Sequence, residues 1–328
     1  MNREPLKQEV SNMTTVTEFL LLGFSDVFDL QMLHFVLFLL IYLMALVGNL
    51  FLLLAVALDD HLHTPMYFFL ANLSIIDISY ISVTIPKSMD ITLTHIRSIS
   101  FSGCMTQIFL GLTFPFAELV LLTVMAYDRY IAICYPLHYQ VIMSKMKCSS
   151  MVASCWVGSI MYAVLHTLNI FLLPFCGPNN VNQFFCEISQ VLKLACADTF
   201  RNEMAILACG IVFGLIFCSS IILSYAHIFS TILKIPSSHG KYKAFSTCLP
   251  HLFVFCLFLF SGMFTYFKKS SESSFVKDIL PALLYSIVSP IANPVIYSLR
   301  NKEIQKALGK LLNKGLFTRE VSSTKRGK

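Results

Sequence analysis

Seven stretches of this 328-residue chain are each apolar enough, over about 20 residues or more, to cross roughly 30 Å of hydrocarbon as a helix. They run over about 32–58, 65–89, 102–134, 149–173, 203–233, 245–267 and 277–299. Backbone groups in lipid must satisfy one another, which leaves only helices or closed barrels as spanning structures. None of the seven stretches shows the ten-residue alternation of a barrel strand. The pattern therefore predicts an all-α membrane protein, a seven-transmembrane helix bundle. Composition agrees: 56% of residues are hydrophobic and 13% charged, against roughly 25% charged in soluble domains. A soluble enzyme, a disordered chain and a nucleic-acid binder are all disfavoured on that ground.

Three regions follow: an amino-terminal segment 1–29, the bundle 30–300, and a polar tail 301–328. Residues 1–29 include Arg3, Glu4, Lys7, Glu9, Glu18, Asp26 and Asp29, with no isolated apolar run. No cleavable signal peptide is expected, and the first span acts as its own signal anchor. Basic residues orient the chain. With the amino terminus outside, 15 Lys or Arg face the cytoplasm: Arg129, Lys145, Lys147, Lys234, Lys241, Lys243 and nine from Arg300 onward. Nine lie outside, so amino terminus out and carboxyl terminus in is the expected arrangement, in the plasma membrane. Asn12-Met13-Thr14 is then a glycosylation acceptor facing the secretory lumen, whereas Asn72-Leu73-Ser74 falls inside the second span.

Of 11 cysteines, four fall on the outer side: Cys104, Cys176, Cys186 and Cys196. An oxidising compartment pairs such thiols, and four of them allow three connectivities. The loop 174–202 contains no histidine, which disfavours a zinc site. Cys134, Cys148, Cys155, Cys209, Cys218, Cys248 and Cys256 are expected to be free.

Ionisable groups inside spans are costly and usually functional. Asp77 lies mid-span in the second helix and Glu118 in the third, with Asn49 and Asn293 at similar depth in the first and seventh. Four polar groups on four helices predict one buried hydrogen-bonded cluster, with water or a sodium ion; simple interhelical bonding is the alternative. Asp128-Arg129-Tyr130 ends the third span, where the arginine can pair locally or be released to a partner. Pro294 permits a kink in the seventh span, and Tyr297 follows on the same face. Beyond Arg300, Ile304, Leu308, Leu311 and Leu312 share one helical face and Lys302, Lys306, Lys310 and Lys314 the other. That is a short basic amphipathic helix for the inner membrane surface. No cysteine follows Cys256, so this helix is not palmitoylated.

In order and spacing these motifs resemble the rhodopsin-like G-protein-coupled receptors, and within them the olfactory (odorant) receptors. The matching strings are VTEFLLLGF (16–24), GN (48–49), LHTPMYFFLANLS (62–74), MAYDRYIAICYPLHY (125–139), SY (224–225), KAFSTC (243–248), His251 and PVIYSLRNKE (294–303). The resemblance implies pairing of Cys104 with Cys186 and of Cys176 with Cys196. It implies that Asp77 and Glu118 stabilise an inactive bundle, that Arg129 engages a G protein, and that Tyr225, His251 and Tyr297 rearrange as the sixth helix swings outward. Two departures stand out. Leu259-Phe260 replaces a common Tyr-Gly in the sixth helix, and Leu249-Pro250 precedes His251.

By facing and resemblance, the candidate ligand liners are Gly111, Leu112, Pro115, Phe116, Ile206, Cys209, Gly210, Phe213, Leu259, Gly262, Met263, Tyr266, Leu283 and Ser286. The set is apolar and lacks a carboxylate, which fits a small volatile hydrophobic molecule, with Tyr266, Ser286 or Glu187 as hydrogen-bonding points. The resemblance further implies a heterotrimeric G protein of the stimulatory olfactory type as partner. No cofactor, nucleic acid or enzyme activity is expected, since no nucleophile–base–orienter set or phosphate loop is present. A pheromone-type or non-nasal role in the same family is an alternative. A small transporter is a weaker one, because no internal repeat relates the two halves.

Overall fold

The computed structural model describes residues 16–22, 27–176, 178–196, 200–266 and 275–311. Seven long helices build it: α1 (Phe28–Leu58), α2 (Pro65–Thr94), α3 (Phe101–Cys134), α4 (Lys145–Phe171), α5 (Phe200–Lys234), α6 (Ser238–Tyr266) and α7 (Phe275–Arg300). A short α8 covers 302–311. Helices α1 to α6 each contain a stretch long and apolar enough to span a membrane, and α7 carries the apolar stretch Leu283–Leu299. The chain is a seven-helix membrane bundle followed by a short helix.

Helix ends reach beyond the apolar stretches, because hydropathy marks the lipid-embedded part and not the helix itself. α2 continues to Thr94, and α6 begins at Ser238 in polar sequence. α3 lies at the centre, packed on α2, α4, α5 and α6, while α1 packs on α2 and α7. The largest core cluster runs through Leu52, Leu73, Leu121, Met125, Tyr225, Phe255 and Tyr297. α5 is different: Ile211, Val212, Phe213, Leu215 and Ile216 are all exposed in the protein alone, the surface that lipid covers.

Sequence reading missed a small sheet at the end of the bundle away from α8. Strands β1 (Glu18–Leu21), β2 (Ser98–Ser100) and β3 (Asn180–Val181) pair in the order β2-β1-β3. β1 is antiparallel to β2 and parallel to β3. Alternation in β1 buries Phe19 and Leu21, and Phe19 packs against Phe101 and Phe175 with ring centroids 5.8 and 5.6 Å apart. β1 is thereby tied to the loops at this end of the bundle.

α8 is capped by Asn301, whose Oδ1 accepts from the backbone N–H of Glu303 (3.0 Å) and Ile304 (3.3 Å). The same side chain bonds Tyr67 Oη on α2. Ile304 and Ala307 are buried against the main core, so the apolar face of α8 docks first on the bundle. Lys310 Nζ meets Asp59 Oδ2 at 2.8 Å. This contact holds the Asp59 carboxyl below the usual carboxylate range. Lys314 and Leu312 lie outside the described residues.

Candidate functional site

Four buried polar residues expected to cluster are brought close, but in two linked groups. Asn293 Nδ2 donates to Asp77 Oδ2 at 3.0 Å and Oδ1 at 3.2 Å, and reaches Glu118 Oε1 at 3.5 Å. All three residues are at most 2% exposed. Two carboxyl groups thus share one amide's hydrogens in a buried site, where like charges would repel unless a proton or a cation lay between them. Asn49 instead serves the backbone. Pro294 has no N–H to give Pro290 O, and Asn49 Nδ2 supplies that bond from α1 at 2.9 Å. Gly48 permits the approach, since a Cβ there would stand 3.1 Å from Pro294 Cγ.

At the α8 end of α3, Asp128 is 1% exposed and holds Arg129 in a side-chain ion pair. Its other oxygen accepts from Tyr139 Oη at 2.7 Å, and burial together with this carboxylate pushes the Tyr139 hydroxyl pKa up. Arg129 is therefore engaged by its own neighbour. Tyr130 stays beside it, its ring packed on Tyr135. Across the bundle, Tyr225 Oη meets His251 Nδ1 at 2.6 Å, joining α5 to α6. Tyr297 is 6% exposed and its hydroxyl has no partner among the described residues.

At the opposite end, disulfides join Cys104 to Cys186 and Cys176 to Cys196. Gln107, one turn beyond Cys104, accepts from Cys186 N at 3.0 Å and donates to Val83 O on α2 at 3.2 Å. Loop, α3 and α2 are thus pinned at one point. Cys134, Cys148, Cys155, Cys209, Cys218, Cys248 and Cys256 are free thiols. Asn12 lies outside the described residues.

The cavity candidates divide by placement. Pro115 is buried, Leu112 and Phe116 partly so, and Phe116 stacks on Tyr162 of α4 at 4.6 Å. Gly111 leaves open space, with nothing within 4 Å of a Cβ built there. Leu259 packs on the main core, and Leu283 on the cluster that holds Phe38, Ile81, Ile85, Phe184 and Phe185. Ser286 is 0% exposed, with its hydroxyl committed to Leu283 O at 3.1 Å. Gly262 faces the Tyr285 ring, and Ile206 is half-buried. Cys209, Phe213 and Met263 lie on exposed surface. Tyr266 ends α6, its side chain outside the described set.

Gly210 has a role that its sequence context hides. A Cβ there would lie 2.0 Å from Tyr162 Oη and 2.8 Å from Cζ, so the glycine is what lets Tyr162 cross over α5. Gly210→Ala is expected to cost about 1–3 kcal/mol through overpacking. Heat inactivation of detergent-solubilised protein measures this, and adding Tyr162→Leu should recover most of the loss. Equal losses with and without the second change would show that the clash is not the cause.

One buried constellation escaped sequence reading. His166 Nδ1 lies 2.5 Å from Glu203 Oε1, and Asn169 Nδ2 donates to Glu203 Oε2 at 2.7 Å. His166 and Glu203 side chains are 1% and 0% exposed. His166 Nε2 has no partner among the described residues, and an orphan of this kind costs about 1–3 kcal/mol. The available signal was weak: one histidine inside an apolar span, and an acid at the border of the next.

The family model described as "Olfactory receptor" matches residues 38–315. Human olfactory receptor 14A16 is 49% identical over 311 residues, covering 95% of this chain and 100% of that protein. Olfactory receptor 1G1 of Gorilla gorilla gorilla is 45% identical over 315 residues, covering 96% and 99%. Among solved structures, squid rhodopsin superposes with a TM-score of 0.67 at 16% identity, covering 89% of this chain and 88% of its own, a likeness of fold alone.

Proposed function

This chain belongs to the olfactory receptor family, and we propose that it is an odorant receptor acting through a stimulatory olfactory-type G protein to raise cyclic AMP. In this reading it lies in the plasma membrane with the amino terminus outside and the tail 301–328 inside. The observation that carries it is Arg129, held by Asp128 at the end of α3 and near the contact of Tyr225 with His251. A ligand acts only by favouring one of two bundle arrangements over the other. In the active one, Arg129 leaves Asp128 for the G-protein α subunit, and the link between Tyr225 and His251 rearranges as α6 moves.

The ligand is a small, mostly hydrophobic volatile molecule held between α3, α5, α6 and α7, against Gly111, Leu112, Pro115 and Phe116 on the α3 side. Asp77, Glu118 and Asn293 stabilise the resting bundle. Their oxygens are the hard donors a sodium ion takes, and the two carboxyls sharing one amide fit such a charge. The bundle's contribution is conformational and needs no covalent chemistry from the chain.

The test is cyclic AMP in cells that co-express the olfactory α subunit, with surface display verified, against a panel of volatiles. Arg129→Ala, matched for surface level, is expected to abolish the response. An equal response in both would overturn coupling through this end of α3.

A further inference from the structure

We infer that the membrane face between α4 and α5 is a sterol site, with α3 as its floor and the sterol hydroxyl held by Tyr127 and His227. The inference goes beyond the odorant-receptor reading and needs only a chain that spans a membrane. α4 and α5 meet near the disulfide end. There His166 and Asn169 hold Glu203, and Tyr162 crosses Gly210. Farther toward the α8 end the two helices part. Gly158 lies one turn from Tyr162 on the same face of α4, yet a Cβ built there meets nothing within 4 Å. Ser154, a further turn along, is exposed.

This gap uncovers the central helix. On α3, Ala117 O accepts from Cys155 of α4. Phe116 meets Phe217 of α5 and Tyr130 meets His227, each pair with ring centroids 5.9 Å apart. Helical spacing puts Tyr127 between these two sides, and it is 38% exposed. From Phe116 to Tyr127 the floor rises about 16 Å at 1.5 Å per residue. That is close to half of the roughly 30 Å of hydrocarbon, so the occupant belongs to one leaflet.

The polar groups at the α8 end of the gap select the occupant. The Tyr127 and Tyr130 rings lie 6.4 Å apart, and His227 is exposed beside Tyr130. Tyr130 Oη is engaged with Tyr135 Oη at 3.4 Å. Neither the Tyr127 hydroxyl nor the His227 imidazole has a hydrogen-bond partner among the described residues. Two small polar tips above an aromatic and aliphatic floor suit a flat ring system with one hydroxyl. An anionic phospholipid head group would need a cation at this depth. Arg129 is turned inward to Asp128, Lys147 is bonded to Val141 O, and Lys234 lies two turns beyond His227. Val124, Tyr127 and Arg129 also match the spacing of a short pattern proposed for cholesterol contact, of which the structure turns the tyrosine outward.

The test uses the full chain purified into phosphatidylcholine nanodiscs that contain a photoreactive sterol, with labelled peptides mapped by mass spectrometry. Labelling should saturate and fall on the segments around Tyr127, Gly158 and His227. Cholesterol should compete at about fivefold lower concentration than its 3α-hydroxy epimer, the worth of one hydrogen bond. Tyr127→Phe combined with His227→Phe keeps both rings, removes both polar tips and should erase that preference. Gly158→Phe fills open space, so it should leave the midpoint of heat inactivation in place and abolish labelling. Labelling that never saturates, or that spreads evenly over every membrane-facing helix, is ordinary bilayer contact and overturns the proposal. Unchanged labelling of Gly158→Phe, or equal competition by the two epimers, does so as well. Competition by phosphatidylserine and not by cholesterol would overturn it in favour of a phospholipid.

Discussion

Serine in place of Cys104 is expected to keep this receptor from the cell surface, whereas serine in place of Cys176 should leave a measurable fraction displayed. The difference follows from what each bridge encloses. Cys104 and Cys186 are 82 residues apart and Cys176 and Cys196 are 20 apart. By loop-closure entropy the first bridge contributes about 4.5 kcal/mol and the second about 3.3 kcal/mol. Secondary contacts widen the gap. Gln107 bonds Cys186 N and Val83 O from one turn along α3, so freeing Cys186 also removes a partner from a buried amide. β3 follows Cys176 and precedes Cys186, and it pairs with β1, which buries Phe19. Losing the longer bridge therefore loosens the sheet as well as the loop. Surface labelling of an amino-terminal epitope, normalised to total protein, measures both variants. Equal display of the two would show that the order of contributions is wrong.

Much of this architecture can be read before any coordinates. Seven apolar stretches are a one-dimensional signal, and lipid removes most alternatives to helix. Asp77, Glu118 and Asn293 stand out because they are polar where nothing polar is cheap, and they do meet. Asn49 stands out for the same reason but bonds Pro290 O instead. Depth along a helix can be counted from sequence, whereas a partner depends on rotation about the helix axis. Rotation is also why α5 resisted reading. Apolar residues surround it on all sides, so Cys209 and Phe213 could not be told apart from inward-facing positions. β1 was missed because four residues acquire strand geometry only by pairing with segments about 80 and 160 residues away. His166 and Glu203 were missed because their meeting depends on how α4 and α5 pack, 37 residues apart. Glu203 lies at the start of the fifth apolar stretch, where an acid needs no further explanation.

The carboxyl cluster yields the second large effect, and it can be tested by exchange. Asn293→Asp places a third carboxyl beside Asp77 and Glu118 and removes the amide that both accept from. Breaking a buried charged contact by removing one partner costs about 3–5 kcal/mol, and like charges at this range add to that. The variant should be largely retained inside the cell and inactivate on mild warming in detergent. Adding Asp77→Asn restores an amide opposite a carboxyl, with donor and acceptor exchanged between α2 and α7. The pair should then recover much of the loss, with a coupling of about 1–3 kcal/mol for groups in direct contact. Asp77→Asn alone should be milder, because it leaves Glu118 as the single carboxyl and keeps the Asn293 amide. Surface level and the midpoint of heat inactivation, read for all four proteins of the cycle, give the coupling directly. Additive losses would mean that Asp77 and Asn293 act separately, and that the hydrogen bonds joining them contribute nothing to the bundle. Recovery would tie α2 to α7 through this single contact. It would place the resting bundle's latch one residue before Pro294, where Asn49 already holds α1 to the same turn.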